Sequence, residues 1–192
     1  MVDILTGTHV FIGKKIFESI DNESKDFSKL INKKYFLYGN IKPDCLFQDT
    51  PSHHKREEAL SYVVEKINEL KVYNLDTQED INRFSLELGI ICHFLADFYC
   101  KPHVRRWGDY TGFKRSIKGV EHIFYEFKIG FYKGEVNRVI SSKYHSINNH
   151  TEFIRDTFVK YEEDINLKKD IYYATFACRN IVLYILKEQA SV

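Results

Sequence analysis

Apolar residues recur every three to four positions along most of this 192-residue chain, and the strict alternation of a half-buried strand is rare. Helical spacing covers residues 9 to 21 and again 26 to 38, where Phe27, Leu30, Ile31 and Tyr35 define one face and Asp26 stands as the cap. The segment from Tyr38 through Gly39, Asn40, Ile41, Lys42 and Pro43 to Asp44 reads as a turn with Asp44 at its exit. Beyond a polar loop, Leu60, Val63, Val64, Ile67 and Leu70 mark an amphipathic helix over about 54 to 71, with His53 and His54 at its start. Asp76 or Thr77 caps the next helix. It runs through Phe84, Leu88, Ile91 and Leu95 to about Cys100 and is apolar on most sides, as a central buried helix is. Further helices are expected over about 112 to 133, Thr151 to Glu163 and Lys168 to Lys187. The pattern predicts an all-α, single-domain bundle of six or seven helices spanning 1–192.

The central run also carries chemistry that a core normally excludes. His93 and Asp97 are four apart, so on a helix they share one face with Cβ atoms about 5–6 Å apart. Ile90, Ile91, Phe94 and Leu95 surround them in sequence. A buried imidazole beside a buried carboxylate needs a partner, and a metal ion supplies one. Pro102 ends the helix and delivers His103 from the turn beyond it. His122 and Glu126 repeat the four-residue spacing. With His9, Asp44 and one of His53 and His54, these residues form a single candidate constellation. Imidazole and carboxylate donors suit zinc, and one carboxylate can bridge two ions. An isolated His/acid pair at this spacing is more often a surface or capping pair, and the apolar surroundings of His93 set it apart. His145 and His150 lie in the polar stretch Ser141 to Thr151 and are expected to be solvated.

Composition narrows the partners. A formal net charge of +1 leaves no electrostatic footprint for nucleic acid or an anionic membrane, so no stable nucleic acid complex is expected. Cys45, Cys92, Cys100 and Cys178 are scattered without a C-x-x-C pair and read as thiols outside any zinc or disulfide framework. The first residues, Met1 to His9, show no basic region followed by an apolar one, so no signal peptide is visible. No stretch approaches the ~18 continuous apolar residues of a spanning helix. The cytoplasm is the expected compartment. The oligomeric state is not readable.

Taken together, the order His93, Asp97, His103 (H-x-x-x-D-x-x-x-x-x-H) followed by His122 and Glu126 (H-x-x-x-E), with Thr8-His9 and Pro43-Asp44 ahead of them, resembles the zinc-dependent phospholipase C family and the single-strand-specific nucleases that share its fold. The resemblance runs from His9 to Glu126. It implies an all-α fold with two or three zinc ions. Asp44, His54 or His53, His93 and Asp97 would hold the first ion, with Asp97 bridging to a second. His103, His122 and Glu126 would hold another. His9 and Asp97 would hold the remaining one, with the free amino terminus of the mature chain in secreted members. This chain places Met1 eight residues ahead of His9, so Asp3 or the amine of Val2 stands as the alternative donor.

Such a cluster suits phosphodiester hydrolysis by a metal-bound hydroxide. Ions ~3.5–4 Å apart lower the pKa of a shared water and clamp the phosphoryl oxygens as charge builds. Asp44 is the expected catalytic residue, orienting the nucleophile. The substrate would be a small phosphodiester or a phospholipid. A nuclease or nucleotide phosphodiesterase, a metal-binding protein without turnover, and a structural helical domain are the alternatives. Trp107, beside Arg105 and Arg106, stands as a candidate rim residue, with a plain surface loop the equal reading.

Overall fold

The first helix, α1 (Leu5–Glu23), turns Ile12, Ile16 and Ile20 inward, none more than 2 % exposed. Burying each contributes about 1.5–3 kcal/mol, which commits this face to the core. His9 falls on the same stripe, one step toward the amino terminus. The computed structural model describes residues 5–45, 56–99, 133–163 and 166–191, and among these the regular elements are nine helices with no strand. The expectation of an all-α fold holds.

The expected helix from 26 to 38 is two helices. α2 (Lys25–Lys29) starts at Ser24, whose hydroxyl accepts from the Asp26 amide at 3.2 Å, so Ser24 and not Asp26 is the cap. Asn32 then opens α3 (Lys33–Gly39), its side-chain oxygen accepting from the Lys34 amide at 3.1 Å. A capping asparagine holds extended backbone, and that interrupts the helix while Ile31 stays buried. The expected turn from 38 to 44 is correspondingly shorter. α3 continues through Gly39, Asn40 and Ile41 make the link, and Asp44 lies within a single helical turn, α4 (Lys42–Cys45).

α5 (Arg56–Lys71) buries Ala59, Val63, Ile67 and Leu70. α6 (Gln78–Phe98) opens on a capping box in which Thr77 and Asp80 satisfy each other's backbone amides. Every residue from Leu88 to Phe98 is buried, because α6 is enclosed by α3, α5 and α9 (Leu167–Gln189). Between them in sequence come α7 (Lys133–Ile140) and α8 (His150–Glu162). The Cys178 thiol of α9 donates to the Cys92 carbonyl of α6 at 3.2 Å, and both thiols are buried and free. The helix expected over 112 to 133 lies outside the described residues except for Lys133, which opens α7.

His150 corrects the reading of its stretch as solvated. It is buried, with its ring stacked on Tyr184 of α9 at 5.8 Å, because Asn149 caps α8 and turns His150 into the first helical position against α9. His145 is exposed, as expected. Among the described residues no helix is long and apolar enough to cross a membrane.

Candidate metal centre

One face of α6, read every fourth residue, holds Ser85, Gly89, His93 and Asp97. Its lower end is tied to the start of α3, where the Asn32 amide donates to Ser85 Oγ at 2.8 Å. Its upper end meets the buried stripe of α1. There His9 Nε2 lies 3.4 Å from Asp97 Oδ1, and His93 Nε2 lies 3.3 Å from Asp97 Oδ2. The two imidazoles stack with centroids 4.2 Å apart and planes 27° from parallel. Asp44 arrives from α4 on the other side, its Oδ1 3.7 Å from His93 Nε2.

Local structure sets the tautomer. His93 Nδ1–H donates to the Asn40 carbonyl at 3.0 Å, which leaves the lone pair of the neutral ring on Nε2, facing both carboxylates. His93 is fully buried and Asp97 nearly so, whereas the Asp44 side chain is 27 % exposed and marks the open side. Burial works against a charged His93, but Asp97 by charge and hydrogen bond, Asp44 by charge and the Asn40 carbonyl outweigh it and raise its pKa above the ordinary imidazole value.

The donor set fits a zinc ion. His9, Asp44 and His93 each offer one ligand atom, and these atoms lie within 4.8 Å of one another. Two imidazole nitrogens and a carboxylate oxygen are zinc donors. Asp97 adjoins both imidazoles through separate oxygens. His9 Nδ1 is buried without a hydrogen-bond partner among the described residues, an unusual condition for a ring nitrogen in a core of hydrogen-bonded groups.

The structure thus brings together His9, Asp44, His93 and Asp97 of the residues singled out from sequence. Asp3, His53, His54, His103, His122 and Glu126 lie outside the described residues, as do Arg105, Arg106 and Trp107. Sequence reasoning missed Asn40, which acts through its backbone carbonyl and so leaves no side-chain signature. Gly89, an isolated glycine inside a helical apolar run, was the available signal that another backbone approaches there.

Comparison with curated proteins gives no match, and comparison with solved structures gives none either. A family model described as zinc dependent phospholipase C matches residues 8–168, a span that takes in His9, Asp44, His93 and Asp97 and leaves out Asp3. With a histidine and aspartate cluster of zinc-binding character inside a match that covers most of its length, the chain belongs to the zinc-dependent phospholipase C family.

Proposed function

We propose that the protein is a phosphodiester hydrolase of phospholipase C type, working at a centre of two or three zinc ions. Among the described residues, His9, Asp44, His93 and Asp97 would be its ligands. His54 or His53 would join Asp44, His93 and Asp97 at one ion, His103, His122 and Glu126 would hold another, and Asp3 or the amine of Val2 is the candidate donor beside His9 and Asp97 at the remaining one. The observation that carries this reading is the division of Asp97 between His9 and His93, one carboxylate oxygen to each imidazole. That is the disposition a carboxylate needs to serve two cations, and a single hydrogen-bonded His/Asp pair does not require it.

When bound, zinc supplies Lewis-acid polarisation of the phosphoryl group and acidifies water at neutral pH. The protein residues supply the rest. The Asn40 carbonyl fixes the ring of His93 so that Nε2 presents its lone pair without reorientation. The His93 ring is fully buried, with the ring of Phe94 against it edge to face at 5.5 Å, and this keeps bulk water from the inner side. Asp44, the most exposed of the four, faces the side from which substrate arrives and orients the attacking water by accepting its hydrogen bond.

Metal analysis on protein purified without chelator tests the reading, together with hydrolysis of bis(p-nitrophenyl) phosphate and of phosphatidylcholine vesicles. Two or three zinc ions per chain and turnover of at least one substrate are expected. A well-folded, metal-free protein whose melting is unchanged by chelator overturns the metal centre. Stoichiometric zinc without turnover of phosphodiesters overturns the hydrolase and leaves a metal-binding protein.

A further inference from the structure

Three glycines surround Asn40, and each lies one residue or one helical turn from a residue of the site. Gly39 of α3 and Gly89 of α6 face each other with no room for a side chain. A Cβ on Gly39 would strike the Leu86 carbonyl oxygen and come within 2.9 Å of the Gly89 Cα. A Cβ on Gly89 would strike the Phe36 carbonyl oxygen and come within 2.8 Å of the Gly39 Cα and 3.0 Å of the Asn40 amide nitrogen. These are backbone atoms on both sides, so neither contact can be relieved by a rotamer change. Gly13 of α1 completes the enclosure, since a Cβ there would lie 3.1 Å from Asn40 Nδ2. Asn40 itself is 1 % exposed, and its side-chain amide donates to the Phe36 carbonyl at 2.9 Å.

The consequence follows along each helix. Gly89 precedes His93 by four residues on the same face, Gly39 precedes Asn40 by one, and Gly13 follows His9 by four. The glycine contact therefore sets how far the Asn40 carbonyl stands from His93 Nδ1, and through the short link to α4 how far Asp44 stands from His93 Nε2. We infer that Gly39, Gly89 and Gly13, acting through Asn40, are positioning residues that fix the imidazole and carboxylate donors at metal-binding separation. Packing alone would ask only that α3 and α6 touch. Direct backbone contact is required because a main-chain oxygen of one helix must reach a ring nitrogen on the other. The inference rests on the zinc reading proposed above.

Its test compares zinc affinity, measured by competition with a chromophoric chelator, with melting temperature and with the visible spectrum of cobalt(II)-loaded protein. Gly89→Ala and Gly39→Ala should weaken zinc about 10–100-fold, the usual cost of losing a group that orients a metal-ligating histidine. They should also shift the cobalt band while far-ultraviolet dichroism stays helical. Gly7→Ala and Gly134→Ala, whose added Cβ meets nothing within 4 Å, should leave affinity and spectrum at wild-type values. Should the two tight variants fail to fold, Gly13→Ala decides, because its neighbours are side-chain atoms of Asn40 and Leu37 at 3.1–3.2 Å and not backbone. It should keep the fold and bind zinc several-fold more weakly. Wild-type affinity and an unshifted cobalt band in a folded Gly89→Ala, or in Gly13→Ala if that variant alone folds, overturn the positioning role while zinc in the wild type still supports the centre. No zinc in the wild type overturns the centre, and the positioning role with it.

Discussion

Asp97 is the residue on which the site turns, since each of its oxygens serves a different imidazole. Asp97→Asn keeps the shape but removes the negative charge, and an amide cannot stand between two cations. That variant is expected to lose zinc and phosphodiester turnover together, measured as metal per chain and as rate. Full zinc content would show that Asp97 is no bridge. His150 gives a second, independent prediction. Burial and then the nearby Lys71 charge lower its pKa, so the unfolded chain takes up a proton at a pH where the folded chain does not. Its contribution to stability is complete above the ordinary imidazole value and is lost as pH falls through the lowered one. Chemical denaturation at a series of pH values from neutral to mildly acidic should show stability falling. His150→Phe, which keeps the stacking on Tyr184, should flatten that dependence, and an unchanged slope would remove His150 as its source.

Helices carried most of their boundaries in their own composition. Thr77 and Asp80 announce the start of α6, and substituting Thr77 by Ala removes a capping box, so a loss of about 0.5–2 kcal/mol is expected by denaturant titration. A loss no larger than that of an exposed Gln78→Ala control would show that the box does not hold this end. The run from Leu88 to Phe98 declares a central helix because it is apolar on most sides, and the four-residue spacing of His93 and Asp97 places both on one face. The break at Asn32 was hidden because Leu30 and Ile31 continue an apolar rhythm straight through it, and rhythm alone does not register an extended capping residue. His150 was misread for a similar reason. Its neighbours in sequence are polar, and its burial comes from α9, which is remote in sequence. The Asn40 carbonyl was invisible because every non-proline residue carries one.

For the molecule as a whole, the centre is assembled from segments that only the folded state brings together: α1 gives His9, α4 gives Asp44 and α6 gives His93 and Asp97. A ligand that binds only the folded chain stabilises it by about 2.7 kcal/mol at a hundredfold excess over Kd. Chelation should therefore lower the melting temperature, and added zinc should restore it. Calorimetry with and without chelator checks this, and identical transitions would count against the centre.

The contact between His9 and Asp97 joins positions at opposite ends of a long stretch of chain. Closing such a loop costs entropy before any contact repays it, so α1 is expected to dock on α6 late in folding. Zinc has no complete set of donors until that event is over. It should leave the refolding rate unchanged and slow unfolding, so that in stopped-flow experiments only the unfolding limb moves with metal concentration. The cluster would then act as a latch closed after folding, and the lifetime of the native state, more than the speed of reaching it, would be set by how much zinc the surroundings supply.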